Sequence, residues 1–274
     1  MDLPRAPRFL SAPWRAPVPG EKHVRVPRWV LILPALLLLV LPLASLMEQT
    51  HWAQLEAAYG DWHAVEVSVT LSAVAMVFIV GVGLPLSFWL ARTQCWLKRG
   101  VETLVLLSLL MPSLAIGILL VSVYGPYGSI GELLGRIGIS LNNNASSFIL
   151  AQVYGGLAYF VMAARTAFDN VPPILEEAAQ DLGCSPWRTF RCVSLPLASR
   201  ELLTGAVVAW VRIIGEFGIV AVFSYFPQGI PVKLFVNLQN DGVQSVYVLV
   251  WILLLLTLPI PLIILSLTRR PSAQ

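Results

Sequence analysis

Long runs of apolar residues alternate with short polar segments along most of the chain. The apolar runs cover residues 29–47, 65–91, 101–124, 147–167, 202–226 and 245–267. Each run reaches or approaches the roughly 20 residues that a helix needs to cross the hydrocarbon core of a bilayer. Helices suit these runs, because unpaired strand edges cannot be satisfied in lipid. The pattern predicts an all-α integral membrane protein with six transmembrane helices, in one domain over residues 29–268.

Prolines interrupt several of the predicted helices. They occupy positions 34, 42, 85, 112, 259 and 261. Proline lacks a backbone N–H and its ring collides with the preceding helical turn, so we expect local bends or breaks at these positions.

The composition agrees with a membrane protein and argues against other classes. Hydrophobic residues make up 57% and charged residues 12% of the chain, whereas soluble proteins average roughly 45–50% and 25%. A net charge of +3 is too small to indicate a nucleic-acid partner. Neither the histidines (23, 51, 63) nor the cysteines (95, 184, 192) form a metal-binding pattern or a CxxC pair. We expect no metal site, and reduced, structural thiols.

Lysine and arginine are distributed unevenly among the polar segments, which indicates how the helices are oriented. They are frequent in the tail 1–28, the loop 92–100, the region 165–201 and the C-terminal segment 269–274. The alternate loops contain almost none: 48–64 has none, 125–146 has only Arg136 and 227–244 has only Lys233. Since basic loops stay on the cytoplasmic side, both termini and the region 165–201 are predicted to be cytoplasmic. The proline-rich tail 1–28 is predicted to be mostly disordered.

A polar stretch between the fourth and fifth apolar runs has the pattern of two short helices. Pro172-Pro173 can open the first helix, and Gly183 can end it, because glycine readily adopts the left-handed conformation that follows a helix. Ser185-Pro186 can begin a second short helix over about residues 187–193, and Pro196 is expected to bar a further regular turn.

Residue spacing divides the first of these helices into two faces. The apolar face consists of Leu175, Ala178, Ala179 and Leu182. The polar face consists of Glu176, Glu177, Gln180 and Asp181. From spacing alone, an ordinary solvated helix–turn–helix between two membrane spans remains an alternative.

The order of residues in this stretch resembles the EAA loop of ABC-importer permeases. Glu177-Ala178-Ala179 is followed after three residues by Gly183, and after nine more by Val193, one residue and Leu195-Pro196. Val193 stands where isoleucine is usual. In that family the loop forms a cytoplasmic coupling helix that docks in a groove of an ATPase subunit, so the resemblance implies a coupling loop over residues 169–200. The coupling residues it implies are Glu176, Glu177, Ala178, Ala179, Asp181, Leu182, Gly183, Pro186, Leu195 and Pro196.

The fifth apolar run contains two charged residues, Arg212 and Glu216. An ionised side chain at membrane depth costs about 2.5–3.5 kcal/mol on insertion scales. The spacing i, i+4 places both on one helix face, where they can neutralise each other. Gly215 and Gly218 permit another helix to approach closely. The pair either locks helices together or lines or gates a transport pathway, and the sequence leaves both readings open.

Residues 212–218 (RIIGEFG) also resemble the fifth-span motif of molybdate, tungstate and sulfate permeases. Ser224-Tyr225-Phe226-Pro227 and Pro231-Val232 look most like the molybdate/tungstate branch. Val211 departs from the usual alanine, and the glycine-asparagine found after this span in many molybdate permeases is absent, so the substrate stays open within the oxyanion group. The pathway or gate residues that the motif indicates are Arg212, Gly215, Glu216, Phe217 and Gly218.

A divalent anion needs hydrogen-bond donors on its way through a membrane, but only a weak site, since it must leave again. Serine hydroxyls at positions 108, 113 and 122 in the third run are candidates, and Ser113 is added to the pathway residues. Serines in membrane spans also commonly bond between helices.

The glycine-rich segment 125–146 contains an apolar patch formed by Ile130, Leu133, Leu134 and Ile137. It resembles the external loop of oxyanion-importer permeases, where a half-buried helix faces the substrate-binding protein. A simple connector rich in turns is the alternative.

The resemblance implies the type I fold of ABC-importer permeases and a multi-pass location in the inner cell membrane. It implies ATP-driven import of molybdate or tungstate by alternating access, through a homodimer with two ATPase subunits and a soluble periplasmic or extracellular binding protein. The chain lacks a GxxxxGK[ST] loop, so we expect it to be non-catalytic and to bind no cofactor, with ATP-Mg on the partner. Alternatives are a sulfate/thiosulfate permease, a stand-alone secondary transporter and an intramembrane enzyme.

Overall fold

The computed structural model describes residues 28–55 and 61–258, and every regular element within these ranges is helical. The predicted tail up to residue 27, Pro259, Pro261, the end of the sixth predicted span and the segment 269–274 lie outside the described residues.

The first helix, α1 (Arg28–Gln49), makes up the described part of an N-terminal unit that ends at Glu48. Residues 32–44 of α1 are exposed on all faces, although they are almost entirely apolar. Such a helix suits lipid surroundings. It continues through Pro34 and Pro42 without interruption.

The second unit runs from Gln49 onward. Its longer helices are α2 (Asp61–Arg92), α3 (Trp96–Leu110), α4 (Ser113–Tyr124), α5 (Ser129–Arg136), α6 (Ala145–Asp169) and α7 (Pro173–Asp181). They are followed by α8 (Pro186–Thr189), a π turn (Phe190–Ser194), α9 (Leu195–Ile214), α10 (Gly218–Phe223), α11 (Ile230–Asp241) and α12 (Tyr247–Thr257). The described part of this unit also contains two 3₁₀ turns, Trp52–Leu55 and Val243–Val246.

The third predicted span consists of two helices rather than one. Helices α3 and α4 meet at an angle of 116°. Pro112 provides no N–H for the helical ladder and keeps Met111 (φ −70°, ψ 137°) out of the helical conformation. The expectation of a single helix over 101–124 is therefore wrong, whereas the break expected at Pro112 is confirmed.

The fifth predicted span begins earlier than the apolar pattern indicated. Helix α8, the π turn and α9 form one continuous helix from Pro186 to Ile214. The π turn widens the helix directly before Pro196, which leaves room for the proline ring in the first turn of α9. For this reason, the expectation that Pro196 ends a short helix is wrong.

The same span is broken near its other end, where α9 stops at Ile214 and α10 starts at Gly218. In the described ranges, four helices are long and apolar enough to cross a membrane, and the bent pair α3–α4 raises the number to five. The shorter apolar helix Val243–Thr257 covers the described part of the sixth predicted span. The number of six spans stays a prediction.

Helices α2, α6 and α9 pack together around a core of small and branched side chains. Its buried members are Ala75, Ile79, Phe160, Ala164, Ala167, Phe168, Val171, Ala198, Leu202, Ala209 and Ile213. Gly156 of α6 lies where a methyl group would be 2.5 Å from Ile213 and 2.7 Å from Ile79. Such close approach of backbones is how apolar helices associate in lipid. A second core joins α4 and α10 with parts of α2 and α6.

The loop predicted over residues 227–244 contains a helix, α11. The Ser68 hydroxyl of α2 accepts a hydrogen bond from the backbone N–H of Ile230 at 2.7 Å. The Asn237 amide donates to the Asp61 carboxylate at 3.1 Å. These bonds attach both ends of α11 to α2, since Ile230 begins α11 and Asn237 lies in its last turns.

The helix expected in the segment 125–146 is present as α5, which folds back against the end of α4. Gly131 of α5 contacts this end so closely that a methyl group on it would overlap the carbonyl oxygen of Gly125. Gly135, one turn later, faces open space. A cavity of about 620 Å³ lies beside α5, and its lining includes Tyr124 and Arg136.

Gly131→Ala is expected to detach α5 from α4, because the added methyl group meets backbone rather than a movable side chain. Overpacking of this kind lowers the free energy of unfolding by about 1–3 kcal/mol. Limited proteolysis within 125–146 should become faster in the purified protein. Gly135→Ala is the matched control on the same helix, and equal proteolysis rates for the two variants would contradict the packing described.

Candidate functional site

The helix predicted at the start of the coupling loop is present as α7, with the predicted end. The N–H of Gly183 donates to the carbonyl of Gln180 at 2.8 Å, and the N–H of Cys184 donates to Ala179 at 3.0 Å. These two bonds form a Schellman motif, which requires a left-handed residue after the helix. Gly183 supplies it with φ +90°. The Ser185 hydroxyl then accepts from the N–H of Arg188 at 3.4 Å and caps the next helix, as predicted.

The apolar face of α7 points away from the rest of the chain. Leu182 is 87% exposed, and Ile174 and Leu175 are exposed beside it. Trp187, just past the turn, is 69% exposed. A cluster of large exposed apolar side chains marks a surface for another molecule. The loop therefore presents an uncovered apolar surface, in the part of the chain that the structure describes.

Glu176 and Glu177 are neighbours in sequence but lie in different surroundings. Residue spacing assigns both to the polar face of this helix, but Glu176 is 8% exposed, whereas Glu177 is exposed. The guanidinium of Arg92 donates to both carboxylate oxygens of Glu176, from Nε at 2.8 Å and from Nη2 at 2.7 Å. The Ser194 hydroxyl donates to the same carboxylate at 2.7 Å.

These bonds keep Glu176 ionised. Burial acts to raise the pKa of Glu176, but the hydrogen bonds from Arg92 and Ser194 outweigh it, so the pKa lies below its ordinary value. The stability that this carboxylate contributes is therefore present above about pH 4.3, the ordinary pKa of glutamate, and is lost as the pH falls through the lower folded value.

Arg92 is a functional candidate that sequence reasoning missed. Its charge was read only as a sign of a cytoplasmic loop. It is the last residue of α2 and lies 84 positions before Glu176. A buried glutamate requires a positive charge nearby. No local pattern in the sequence indicates which residue supplies that charge to Glu176.

The pair Arg212–Glu216 is present at the break between α9 and α10. Glu216 is 2% exposed, and its Oε2 is in ion-pair contact with Arg212. The other oxygen, Oε1, accepts a hydrogen bond from the backbone N–H of Ile219 at 2.9 Å. The Arg212 guanidinium also lies over the ring of Tyr159, 5.3 Å from its centre. The predicted neutralisation is confirmed, and Glu216 additionally caps the first turn of α10.

The broken fifth span meets the bent third span at Gly218 and Ser113. A methyl group on Gly218 would overlap the Ser113 hydroxyl and lie 2.9 Å from the N–H nitrogen of Leu114. The first turns of α4 and α10 are therefore in direct contact. On the other side of the break, the ring of Phe217 packs against Phe235 of α11, with centres 5.0 Å apart.

The three candidate serines are not brought together. Ser113 begins α4 and lies at the break, and Ser122 lies at the far end of the same helix, where its hydroxyl donates to the carbonyl of Leu119 at 2.8 Å. Ser108 lies in α3, before the bend. Ser113 contacts Gly218 of the motif.

Sequence reasoning also missed a pair of hydrogen-bonded serines at the end of α10. The hydroxyls of Ser147 and Ser224 are 2.8 Å apart and buried. Ser147 also completes a capping box with Asn144 at the start of α6. Asn-x-x-Ser before an apolar run is a capping signal, so residues 144–147 could have indicated this start of α6 from the sequence.

Over residues 28–55 and 61–258 no group of histidine, cysteine, aspartate or glutamate residues has the arrangement of a metal site. Cys95, Cys184 and Cys192 are free thiols.

The sequence of this chain matches the family model described as binding-protein-dependent transport system inner membrane component, over residues 83–271. A probable molybdenum ABC transporter permease protein from Haloferax volcanii is 32% identical over 240 residues, which cover 88% of this chain and 85% of that protein. A molybdenum transport system permease protein from Mycobacterium bovis is 30% identical over 251 residues, which cover 89% of this chain and 95% of that protein.

Among solved structures, the fold is similar to that of a bacterial ABC transporter involved in the import of the acidic polysaccharide alginate. The TM-score is 0.71 at 17% sequence identity, and the superposition covers 89% of this chain and 96% of that chain. This similarity establishes the fold.

Glu216→Gln tests the role of the charged pair. The amide retains an oxygen that can cap α10, but Arg212 is left without a counter-charge inside the membrane, at a cost of about 2.5–3.5 kcal/mol. We expect a lower thermal midpoint in detergent, whereas Glu66→Gln, an exposed control on α2, should leave it unchanged.

The double variant Arg212→Gln, Glu216→Gln separates the two roles that the sequence left open. Removing both charges should restore the thermal midpoint in either case. Restored transport would identify a purely structural pair, whereas transport that stays low would identify a pathway role.

Proposed function

This chain belongs to the family of binding-protein-dependent transport system inner membrane components, and on that premise we propose that it moves molybdate or tungstate into the cytoplasm. It is a multi-pass membrane protein and the permease subunit of an ABC importer, a transport component rather than an enzyme. Its family implies an ATPase and a substrate-binding protein as partners.

The substrate is proposed from the names of the relatives and from the chemistry of the chain. Both relatives named above are described as molybdenum permeases. Molybdate and tungstate are tetrahedral dianions of nearly equal size, so a pathway that accepts one is expected to accept the other. Sulfate is smaller and remains the rival substrate.

Coupling to the ATPase is proposed to occur through α7 and the turn after it. The observation that carries this role is the apolar surface of Leu175, Leu182 and Trp187, which the chain itself leaves uncovered. Ala178 and Ala179 are small enough to let a partner surface approach, and the exposed carboxylates of Glu177 and Asp181 can meet polar or basic groups at its rim. Apolar anchors surrounded by polar groups are the usual anatomy of a protein interface.

Two copies of the chain are proposed to form the pathway together, with two ATPase subunits that bind ATP-Mg. Twofold symmetry is the most frequent arrangement of such assemblies. The distribution of lysine and arginine supports a cytoplasmic location for both termini and α7. Helix α5 then lies on the outer side, where the soluble binding protein delivers the anion.

The pathway is proposed to run past the break between α9 and α10. Irregular backbone at membrane depth is tolerated where it is buried in protein or lines a water-filled cavity. Here the bent third span and the broken fifth span meet, and Gly218 of the motif Arg212, Gly215, Glu216, Phe217 and Gly218 lies beside Ser113. The Ser113 hydroxyl offers a single donor to a passing anion, and weak binding of this kind is what alternating access requires.

Leu182→Asp is expected to prevent docking of the ATPase subunit, because a charge replaces an apolar anchor at the proposed interface. The substitution should not unfold the chain, since the side chain is 87% exposed. Co-purification of the ATPase subunit with the tagged permease measures the effect, and we expect at least a ten-fold loss. Leu133→Asp, an exposed leucine on α5, is the control and should keep the ATPase subunit bound.

Uptake by proteoliposomes that contain the complete complex and its binding protein tests the substrate. Radiolabelled molybdate should accumulate only with ATP, and unlabelled tungstate should compete with it at similar concentrations. Sulfate should compete at least a hundred-fold less well. Equal competition by sulfate would assign the chain to the rival class.

A further inference from the structure

We propose that Glu176 and Arg92 are positioning residues that carry the ATP-driven movement of α7 into the membrane helices. This inference rests on the coupling role proposed above and deepens it. It assigns neighbouring glutamates to separate tasks: Glu177 faces the ATPase, whereas Glu176 transmits the movement inside the chain.

One buried side chain joins α7 to the rest of the chain. Within α7, all of which the structure describes, Glu176 is the single buried residue. The helix has no apolar face packed on the core, because Leu175 and Leu182 point outward. A displacement of α7 is therefore passed on through the Glu176 carboxylate, together with the chain connections of the helix and its packing against α8 and the π turn.

The carboxylate of Glu176 is held from two separate helices. Arg92 is the last residue of α2, and its guanidinium donates hydrogen bonds to both carboxylate oxygens at 2.7 and 2.8 Å. Ser194 lies in the π turn that leads into α9 and donates to one of them at 2.7 Å. A bidentate guanidinium–carboxylate pair fixes orientation as well as distance, because both groups are planar. The joint formed by Arg92, Glu176 and Ser194 thus resists rotation of α7 as well as separation.

The surroundings of this joint are stiff. Arg92 also donates to the carbonyl of Val171 at 3.1 Å, directly before α7, and its guanidinium lies over the ring of Phe88 at 5.8 Å. Phe88 packs against Phe168 at 5.2 Å and against Phe190 at 4.7 Å between ring centres. These rings come from α2, α6 and the π turn, so the joint rests on a packed aromatic cluster rather than on a mobile surface.

The two helices held by the joint are those that lead into the membrane. Helix α9 starts beside Ser194 and, at 1.5 Å per residue, extends for about 30 Å to Ile214. The break with Arg212 and Glu216 follows directly. A helix of this length transmits a push or a tilt along its axis, so movement of α7 would reach the proposed pathway through α9, and through α2 on its other side.

Glu176→Gln in the complete complex tests this inference. The amide has the same shape but loses the charge and one of the two acceptor oxygens. We expect the ATPase subunit to remain bound at the wild-type ratio and basal ATP hydrolysis to continue. The molybdate imported per ATP hydrolysed, measured in proteoliposomes with the binding protein, should fall at least ten-fold. Glu177→Gln should instead reduce co-purification of the ATPase subunit.

The results for Glu176→Gln distinguish a positioning role of this residue from a docking role and from a purely structural one. Loss of the ATPase subunit from Glu176→Gln would show a docking residue and overturn the inference. A lower thermal midpoint with an unchanged ratio of molybdate to ATP would show a merely structural pair and also overturn it. Failure of the wild-type chain to bind any ATPase would instead overturn the proposed function, which separates the two failures.

A second variant keeps the inference testable if the Glu176→Gln protein folds poorly. Arg92→Lys keeps the positive charge but replaces the planar fork with a single point donor. A two- to five-fold lower ratio of molybdate to ATP, with the complex intact, is expected for a joint whose geometry matters. A wild-type ratio would show that charge alone suffices and would contradict the positioning role.

Discussion

A helix that breaks inside a bilayer must satisfy its free backbone groups within the protein, because lipid offers no hydrogen bonds. The break between α9 and α10 meets this constraint through one side chain. Glu216 accepts the N–H of Ile219 with one carboxylate oxygen and neutralises Arg212 with the other. Either charge alone would be costly at this depth. The pair therefore makes possible an interruption that a purely apolar sequence would not tolerate.

The interruption determines how the central helices pack. Because α10 is separated from α9, its first turn can lie against the first turn of α4, where Gly218 contacts Ser113 without a side chain between them. Proline 112 produces the matching bend in the third span. Two discontinuous spans thus meet at one place, while α2, α6 and α9 remain long and closely packed around small residues. This combination of stiff helices and one irregular junction suits a protein that alternates between two states.

The same contrast appears at the predicted cytoplasmic end. The turn after α7 exposes large apolar side chains, whereas the helix itself is held to the chain through a buried carboxylate. The proposed coupling role requires α7 to be open to a partner and also firmly connected to the helices that it would move. The alternation of Glu176 inward and Glu177 outward provides both, since consecutive helical residues point about 100° apart. The ionised state of Glu176, with its lowered pKa, keeps the connection intact at physiological pH.

The sequence by itself determined the helical class, the places of most spans, the end of α7 at Gly183 and the pairing of Arg212 with Glu216. These features depend on local properties: apolar run length, a left-handed glycine, and an i, i+4 spacing. Tertiary structure alone decided that Glu176 turns inward, because its partner Arg92 is distant in sequence. It also decided that the helix passes through Pro196, because a π turn widens the preceding backbone. Ser113 contacts Gly218 because the third span bends at Pro112 and the fifth span breaks between α9 and α10. No local sequence pattern indicates that these two breaks meet.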